Sequence, residues 1–159
     1  MSSGTPRFSL VPASYVYLRR GDEVLLQQRR NTGYMDGHWV AGAAGHVEPG
    51  ELAIEAAVRE TREELGVDVD REDLSLITVM QRTDGTDAAI EQRVDWMWQA
   101  RAWEGDPRIA EPEKIAALDW FSLRDLPEPI PVYELRVLAA IGGAGIPVAS
   151  GYGFDRVLR

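Results

Sequence analysis

Three glutamates lie close together in the sequence, at positions that one helix would present on the same face. Glu60, Glu63 and Glu64 are spaced i, i+3 and i+4, and an α-helix places side chains at this spacing side by side. Like charges so placed weaken a helix by a few tenths of a kcal/mol per pair. Clustered carboxylates are, however, the hard oxygen ligands that Mg²⁺ or Mn²⁺ prefers. The spacing therefore predicts a divalent-cation site, with a solvated acidic helix face as the alternative.

The helix that carries these glutamates is predicted over residues 51–65, and Gly66 is a ready C-terminal stop. Its apolar positions fall within an arc of roughly 100° at 3.6 residues per turn. These positions are Ile54, Ala57, Val58, Thr61 and Leu65. The acidic face borders this apolar stripe, so we expect the carboxylates to converge towards the protein. The glycine-bounded loop before the helix, residues 45–50, can bring a backbone carbonyl close to them.

Residues 45–67 closely resemble the signature of the Nudix family, the Nudix box, Gly-x5-Glu-x7-Arg-Glu-U-x-Glu-Glu-x-Gly-U, where U is a bulky aliphatic residue. The matching positions are Gly45, Glu51, Arg59, Glu60, Glu63, Glu64, Gly66 and Val67. Seven fixed letters at roughly 7% frequency each give a chance match of about one in a million for this length. The chain departs from the pattern at Thr61, where an aliphatic residue is usual, and at Ala44, where glycine is common. The segment 39–45 also lacks the usual proline.

The resemblance implies a metal centre with particular ligands. Carried over by position, Glu63 and Glu64 hold the metal ions, and Glu60 is a further ligand or the catalytic base. The backbone carbonyl of Ala44 is a further metal ligand. The implied cofactor is Mg²⁺ or Mn²⁺, which neutralises a diphosphate and lowers the pKa of the attacking water.

The resemblance also assigns residues that support this centre. Arg59 is expected to orient Glu60 while pairing with Glu51, since opposite charges meet there near one helix face. Members of the family take a further catalytic glutamate from a loop outside the box. Glu113 is the preferred candidate here, ahead of Glu111 and of Glu91, and solvated loop charge is the alternative for each.

Three residues outside the box are candidate substrate contacts. Arg29 ends a predicted strand before a variable loop and is placed to contact a phosphate, with an internal salt bridge or a solvated surface position as the alternative. Tyr34 and Trp39 present aromatic faces on which a base could stack. For Trp39 the alternative is a position in the core.

The activity implied by the resemblance is hydrolysis of a phosphoanhydride bond in a nucleoside diphosphate linked to another group, X. A nucleoside triphosphate or a modified nucleotide is the expected substrate. The main alternative is a non-catalytic nucleotide-binding sensor, although such modules typically lose the box glutamates. An isoprenoid-diphosphate isomerase of the same fold is disfavoured because its chemistry relies on a cysteine, and this chain has none. A homodimer is plausible on family grounds.

Composition restricts the partners. The 159 residues contain 17 Lys and Arg against 26 Asp and Glu, which gives a formal net charge of −9. Because long nucleic acids are bound through Lys and Arg, this acidic balance disfavours DNA and RNA. No apolar stretch approaches the ~20 residues of a membrane span, and the N-terminal residues carry no secretory apolar run. We therefore expect a cytoplasmic protein that binds small molecules and no membrane.

The elements around the box predict an α/β fold. Strands are expected over 14–19, 23–29, 39–43, 74–82, 94–103 and 116–121, and a second helix over 132–141. Residues 1–12 read as a flexible lead-in and residues 13–159 as a single domain. The expected architecture is a Nudix-type α/β/α sandwich, in which a curved mixed β-sheet lies between helices.

Overall fold

The structure, a computed structural model, describes residues 4–154, which form a mixed β-sheet with two α-helices. The strands are β1 (Val11–Arg20), β2 (Glu23–Arg29), β3 (Trp39–Ala41), β4 (Ala43–His46), β5 (Leu74–Arg82), β6 (Arg93–Ala100), β7 (Ile115–Ser122) and β8 (Ala149–Tyr152). The helices are α1 (Ala53–Leu65) and α2 (Val132–Ala139), and α2 runs into one wide turn, Ala140–Ala144. None of the helices in this described part has the length and apolarity needed to cross a bilayer.

Strand β1 lies at the centre of the sheet. The strand order is β3-β2-β1-β6-β5-β8, with β4 added to β1 and β7 added to β2. β1 pairs in parallel with β6 from Val11 to Leu18 and antiparallel with β4 from Ala13 to Val16. It then pairs with β2 only at Arg19 and Arg20. Strand β1 thus pairs with β6 and β4 along most of its length and with β2 at its end, and the sheet bends around it.

The two faces of β1 support two separate cores. Tyr15 and Tyr17 belong to the cluster that contains α2 residues such as Val137. Val16 and Leu18 belong to the cluster that contains α1 residues such as Leu65. Since successive side chains of a strand point to opposite faces, the helices lie on opposite sides of the sheet. The predicted α/β/α sandwich with a mixed sheet is confirmed.

Helix α1 is closed by Gly66, which adopts the left-handed conformation at φ 67° and donates its N–H to the carbonyl of Arg62. Thr61 stands where the box pattern usually has an aliphatic residue, and the structure accommodates it. Thr61 is buried, and its hydroxyl donates to the carbonyl of Ala57 at 2.7 Å. Its methyl group can therefore pack in the core while its polar atom stays satisfied.

Several predicted boundaries differ from the structure. Of the predicted lead-in, residues 1–3 lie outside the described part, and β1 already begins at Val11. The strand expected over 39–43 is two strands, β3 and β4, separated at Gly42. Strand β8 was not predicted, because its sequence, Ala-Ser-Gly-Tyr, has none of the β-branched residues that mark strands.

Candidate functional site

Arg59 on α1 connects the polar residues of the box. Its Nε and Nη2 donate to the two carboxylate oxygens of Glu51 at 2.8 and 2.9 Å, and its Nη1 donates to Glu60 at 2.7 Å. The same Nη2 reaches the carbonyl of His46 at 3.1 Å. Because Arg59 donates two hydrogen bonds to the Glu51 carboxylate, these contacts fix the orientation of the two side chains as well as the distance between them. They lower the pKa of Glu51, chiefly through the hydrogen bond from Arg59.

Glu60 lies against the backbone of β4 with 13% of its side chain exposed. A Cβ atom built on Gly45 would collide with the Glu60 carboxylate, so only glycine at position 45 allows this approach. Burial raises the pKa of Glu60, the hydrogen bond from Arg59 opposes that effect, and the charges of Glu63 and Glu111 add to it. A nearby cation would stabilise the ionised form of a carboxylate that is partly buried and lies near other negative charges.

Glu64 also contacts strand β4, at Ala44, the residue before the glycine that borders Glu60. Its Oε2 accepts the backbone N–H of Ala44 at 2.7 Å. Burial, followed by the charges of Glu60 and Glu111, raises the pKa of Glu64 to about 8 despite that hydrogen bond. The contact shown for Ala44 is therefore made by its amide, whereas the sequence predicted a role for its carbonyl.

Glu63 is the most exposed of the three helix glutamates. Half of its side chain, 52%, is accessible to solvent, and its contact within the site is with Arg59 Nη1 at 3.3 Å. Within residues 4–154, no three Asp, Glu or His side chains are already grouped as a metal-binding cluster. Glu60 and Glu64 thus converge on β4, while Glu63 faces outward beside them.

The two loop glutamates occupy different surroundings. The charge of Glu111 is among the leading causes of the raised pKa of both Glu60 and Glu64, whereas that of Glu113 is not. Glu111 is 23% exposed and pairs with Lys114 at 3.4 Å. Glu113 is exposed. The sequence favoured Glu113, whereas in the structure the charge of Glu111 acts on the box glutamates.

A cavity of about 430 Å³ is bordered by β4, the strand against which Glu60 lies. Ala44, Gly45 and His46 of β4 form one wall. Because Gly45 also borders the Glu60 carboxylate, the cavity and the acidic centre share a strand. The cavity has the size of a small-molecule pocket.

Aromatic rings make up much of the remaining wall, and Arg82 on β5 holds them in place. Tyr15, Tyr34 and Tyr133 all line the cavity. The Arg82 guanidinium donates to the hydroxyls of Tyr15 and Tyr34 at 3.2 Å each and lies 3.9 Å from the centre of the Tyr133 ring. Its Nε donates to Asp95 on β6 at 2.8 Å, which pairs two buried charges. Arg82 therefore ties the aromatic wall to the centre of the sheet.

Glu134 on α2 completes the cavity and is fully buried. Its Oε1 accepts the Tyr17 hydroxyl at 2.6 Å and the Ala41 N–H at 2.8 Å. Its Oε2 has no hydrogen-bond partner among the described residues. Burial raises the pKa of Glu134 to about 7, although both hydrogen bonds oppose that shift.

The sequence interpretation missed Arg82, Asp95 and Glu134, yet each position carried a signal. Glu134 is one helical turn from Leu138, on the apolar stripe of α2. Arg82 and Asp95 occupy inward-facing positions of their strands, two residues from Met80 and Met97 respectively. A charged residue at a core position indicates either a buried ion pair or a binding site.

The predicted substrate contacts divide between the cavity and the core. Arg29 and Tyr34 both line the cavity, and Arg29 Nε donates to the carbonyl of Tyr34 at 2.8 Å. Trp39 instead packs edge-on against Phe121, with ring centres 4.8 Å apart, at the border of a core cluster. The structure thus supports the core interpretation for Trp39.

Comparison with known proteins identifies relatives across most of the chain. A family model described as the NUDIX domain matches residues 9–140. A crystal structure of a MutT NUDIX hydrolase from Burkholderia pseudomallei is 30% identical, with a TM-score of 0.73, and covers 82% of this chain and 97% of that one. A UDP-X diphosphatase structure is similar in fold alone, at 16% identity and a TM-score of 0.67, over 92% and 69% of the two chains.

Two curated relatives have different named activities. An isopentenyl-diphosphate Delta-isomerase of Cereibacter sphaeroides is 32% identical over 117 residues, which are 70% of this chain and 63% of the isomerase. An NAD-capped RNA hydrolase, NudC, of Pseudomonas entomophila is 33% identical over 126 residues, which are 79% of this chain and 40% of NudC. The chain therefore spans less than two thirds of the length of either relative.

Proposed function

The chain belongs to the NUDIX domain family, and from this premise we propose that it is a divalent-metal-dependent hydrolase of a nucleoside diphosphate linked to another group. One observation carries the proposal: Arg59 bonds Glu51 and Glu60 at once, beside the glycine that admits the Glu60 carboxylate. In the reaction, the oxygen of water forms a bond to phosphorus and the P–O bond of the phosphoanhydride breaks. The bridging oxygen leaves with one product phosphate, and the proton of water is released.

The donor set fits Mg²⁺ or Mn²⁺. Glu60 and Glu64 are partly buried carboxylates, and the charge of Glu60 raises the pKa of Glu64, so a cation between them relieves both burial and repulsion. We assign the metal to the carboxylates of Glu60, Glu63 and Glu64, with the carbonyl of Ala44 as a further ligand. Neutralising the diphosphate and activating the attacking water is the chemistry that such an ion supplies when it is bound.

The residues of the chain position the reacting groups. Arg59 holds Glu60 in one orientation and ties it to Glu51, so the carboxylate stays aligned with β4. Glu60 or Glu111 accepts the proton of the attacking water, because both are carboxylates of the acidic centre. Glu111 replaces Glu113 in this role, since its charge influences Glu60 and Glu64. Catalysis then depends on positioning and electrostatics.

The substrate class follows from the cavity and from the relatives. Isopentenyl diphosphate, NAD and UDP-X, the compounds in the relatives' names, all contain a diphosphate. Here the cavity beside the box offers tyrosine rings and Arg29, which suit a base and a phosphate. We therefore expect a nucleoside triphosphate or a modified nucleotide. The net charge of −9 favours a small nucleotide over a long nucleic acid.

A turnover screen tests the proposal. The purified protein is incubated with nucleoside triphosphates, nucleotide sugars, ADP-ribose, dinucleoside polyphosphates, NAD and isopentenyl diphosphate, with Mg²⁺, Mn²⁺ or EDTA. Phosphate, pyrophosphate and nucleoside monophosphate are quantified. The double variant Glu63→Gln/Glu64→Gln removes two proposed metal ligands. The variant Glu72→Gln is the matched control, because Glu72 is exposed on the turn Arg71–Asp73.

We expect metal-dependent release of product that the double variant loses and Glu72→Gln retains. Two results would contradict the proposal. Tight nucleotide binding with no turnover in any condition would indicate a sensor. Conversion of isopentenyl diphosphate without phosphate release would indicate an isomerase.

A further inference from the structure

The junction between β3 and β4 leads directly into the strand that meets the box glutamates, and it lies between two strand ladders. Ala41 still pairs with Leu26 of β2, whereas Ala43 already pairs with Val16 of β1. Gly42, which stands between them, is buried. Because a buried backbone carbonyl needs a hydrogen-bond donor, a position between two ladders depends on other parts of the protein to supply one.

Gln27 on β2 supplies this donor. Its Nε2 donates to the carbonyl of Gly42 at 2.9 Å, and the residue is only 3% exposed. A side-chain amide nitrogen carries two N–H groups, so the bond to Gly42 leaves one N–H for a second acceptor. Since buried polar groups are almost always hydrogen-bonded, a second acceptor is expected close by.

The second acceptor is the carboxylate of Glu64 on α1. Hydrogen bonding from the Gln27 side chain lowers the pKa of Glu64, against the larger effect of burial. The same carboxylate accepts the N–H of Ala44, two residues after Gly42, at 2.7 Å. Gln27, the backbone from Gly42 to Ala44 and Glu64 thus form a closed ring of contacts that joins β2, β4 and α1.

This ring holds a part of the acidic centre that Arg59 does not hold. Within residues 4–154, the hydrogen bonds and ion pairs of Arg59 reach Glu51, Glu60 and Glu63 but not Glu64. Residues 39–45 also contain no proline, so no ring closure fixes φ in the segment that leads to Ala44. The orientation of Glu64 therefore depends on the Ala44 N–H and on Gln27.

We propose that Gln27 is a positioning residue of the metal centre, which holds the Glu64 carboxylate and the backbone before Ala44 in the arrangement that a divalent cation requires. This inference rests on the proposed function, in which Glu64 and the Ala44 carbonyl bind the cation. It adds a residue outside the box, on a different strand, that organises the ligands. Partners of this kind typically contribute about 10- to 100-fold to metal affinity.

Two substitutions on β2 form a matched pair. Gln27→Met keeps a side chain of similar length and removes its N–H groups. Gln28→Met is the control, because Gln28 points to the opposite face of β2 and donates to the carbonyl of Gly37 at 3.1 Å. Each variant loses a side-chain amide that bonds the carbonyl of a glycine, but only Gln27→Met removes a donor to Glu64.

The affinity for Mn²⁺ in the absence of substrate is the first measurement. Free Mn²⁺ is followed by electron paramagnetic resonance in the wild type and both variants, and circular dichroism and urea titrations monitor the fold. We expect Gln27→Met to raise the Kd by about tenfold or more and Gln28→Met by less than about twofold. A rise below about threefold in Gln27→Met, or an equal rise in both variants, would overturn the inference.

A spectroscopic signature in the wild type gives a second, independent measurement. NMR spectra of the nitrogen-labelled protein follow the side-chain amides of Gln27 and Gln28 during titration with Mg²⁺. We expect the Gln27 NH₂ resonances to shift on saturation, because their acceptor becomes a metal ligand, while those of Gln28 stay in place. A role in packing alone would not produce this shift. A Gln27 amide that does not respond would overturn the inference, and this result is available even if Gln27→Met does not fold.

Failure of this inference is distinguishable from failure of the proposed function. A wild type that binds neither Mn²⁺ nor Mg²⁺ would remove both. A wild type that binds metal with an affinity unaffected by Gln27→Met would lose the inference and keep the proposed metal centre. Metal binding that depends on Gln27, together with no turnover in the screen above, would retain the inference and lose the proposed function.

Discussion

Arg59 illustrates how one side chain can organise a site. Its planar guanidinium bonds both oxygens of Glu51 and one oxygen of Glu60. Lysine carries the same charge but cannot span two carboxylates in this fixed geometry. We therefore expect Arg59→Lys to lower kcat/KM by roughly 10- to 100-fold while the fold stays intact. Steady-state kinetics with circular dichroism checks this, and wild-type kcat/KM in the variant would contradict it.

The two loop glutamates offer a matched comparison at the same scale. Glu111 influences the pKa of Glu60 and Glu64, whereas Glu113 is exposed and is not among the leading causes of either shift. We expect Glu111→Gln to reduce kcat by about tenfold or more and Glu113→Gln by less than about twofold. Both substitutions remove one charge from one loop, so each is the control for the other. A larger loss in Glu113→Gln would restore the assignment made from the sequence.

The box could be predicted from the sequence because its residues are local. Glu60, Glu63 and Glu64 lie on one helix, so their spacing alone brings them to one face. The cavity could not be predicted in this way. Glu134 meets Tyr17 across 117 positions of the chain, and Arg82 meets Tyr34 across 48. Contacts over such separations depend on how the layers pack, although charged residues at core positions gave a partial signal.

At the level of elements, the end of α1 depends on Gly66. Its φ of 67° is unfavourable for residues with a Cβ, and a Cβ there would also meet the guanidinium of Arg108. We expect Gly66→Ala to lower the free energy of unfolding by about 1 kcal/mol or more in urea titrations. Gly142→Ala is the control, since Gly142 has open space and no positive φ. Equal stability of the two variants would contradict this role of the cap.

Periodicity predicted the long elements well and the short ones less well. Strand β5 has the predicted bounds, and α1 begins two residues later than expected. The break between β3 and β4 at Gly42 reflects tertiary contacts. The carbonyl of Gly42 accepts a hydrogen bond from the side chain of Gln27. A Cβ atom at position 42 would lie only 3.2 Å from the carbonyl oxygen of Leu25 and 3.3 Å from the side chain of Leu65. Strand β8 likewise depends on β5 as its parallel partner, a pairing that local sequence does not encode.

At the level of the whole molecule, Glu134 links stability to pH. Burial raises its folded-state pKa to about 7 from the ordinary 4.5, with opposing contributions from Tyr17, Ala41 and Arg82 and a small further increase from Asp95. A carboxyl with a raised folded-state pKa stabilises the fold below its unfolded pKa, and this contribution is lost as the pH rises through 7. Between about pH 5.5 and 8 the loss is about 2 kcal/mol.

Glu134→Gln isolates this contribution from those of other groups. The difference in unfolding free energy between wild type and variant should shift by about 2 kcal/mol in favour of the variant from about pH 5.5 to 8. Urea titrations at the two pH values measure the shift. A difference that does not depend on pH would show that Glu134 ionises normally in the folded protein.

The position of Arg82 has a consequence for the thermodynamics of recognition. Arg82 fixes Tyr15, Tyr34 and Tyr133, and it is itself fixed by Asp95 before any ligand arrives. A ligand therefore has few side chains to immobilise, and the entropic penalty of association is small. The same rigidity prevents the walls from adapting to a different ring. Under the proposed function, a change of preferred base therefore requires substitutions in the aromatic wall and its central arginine, while the proposed hydrolytic centre on α1 can stay unchanged.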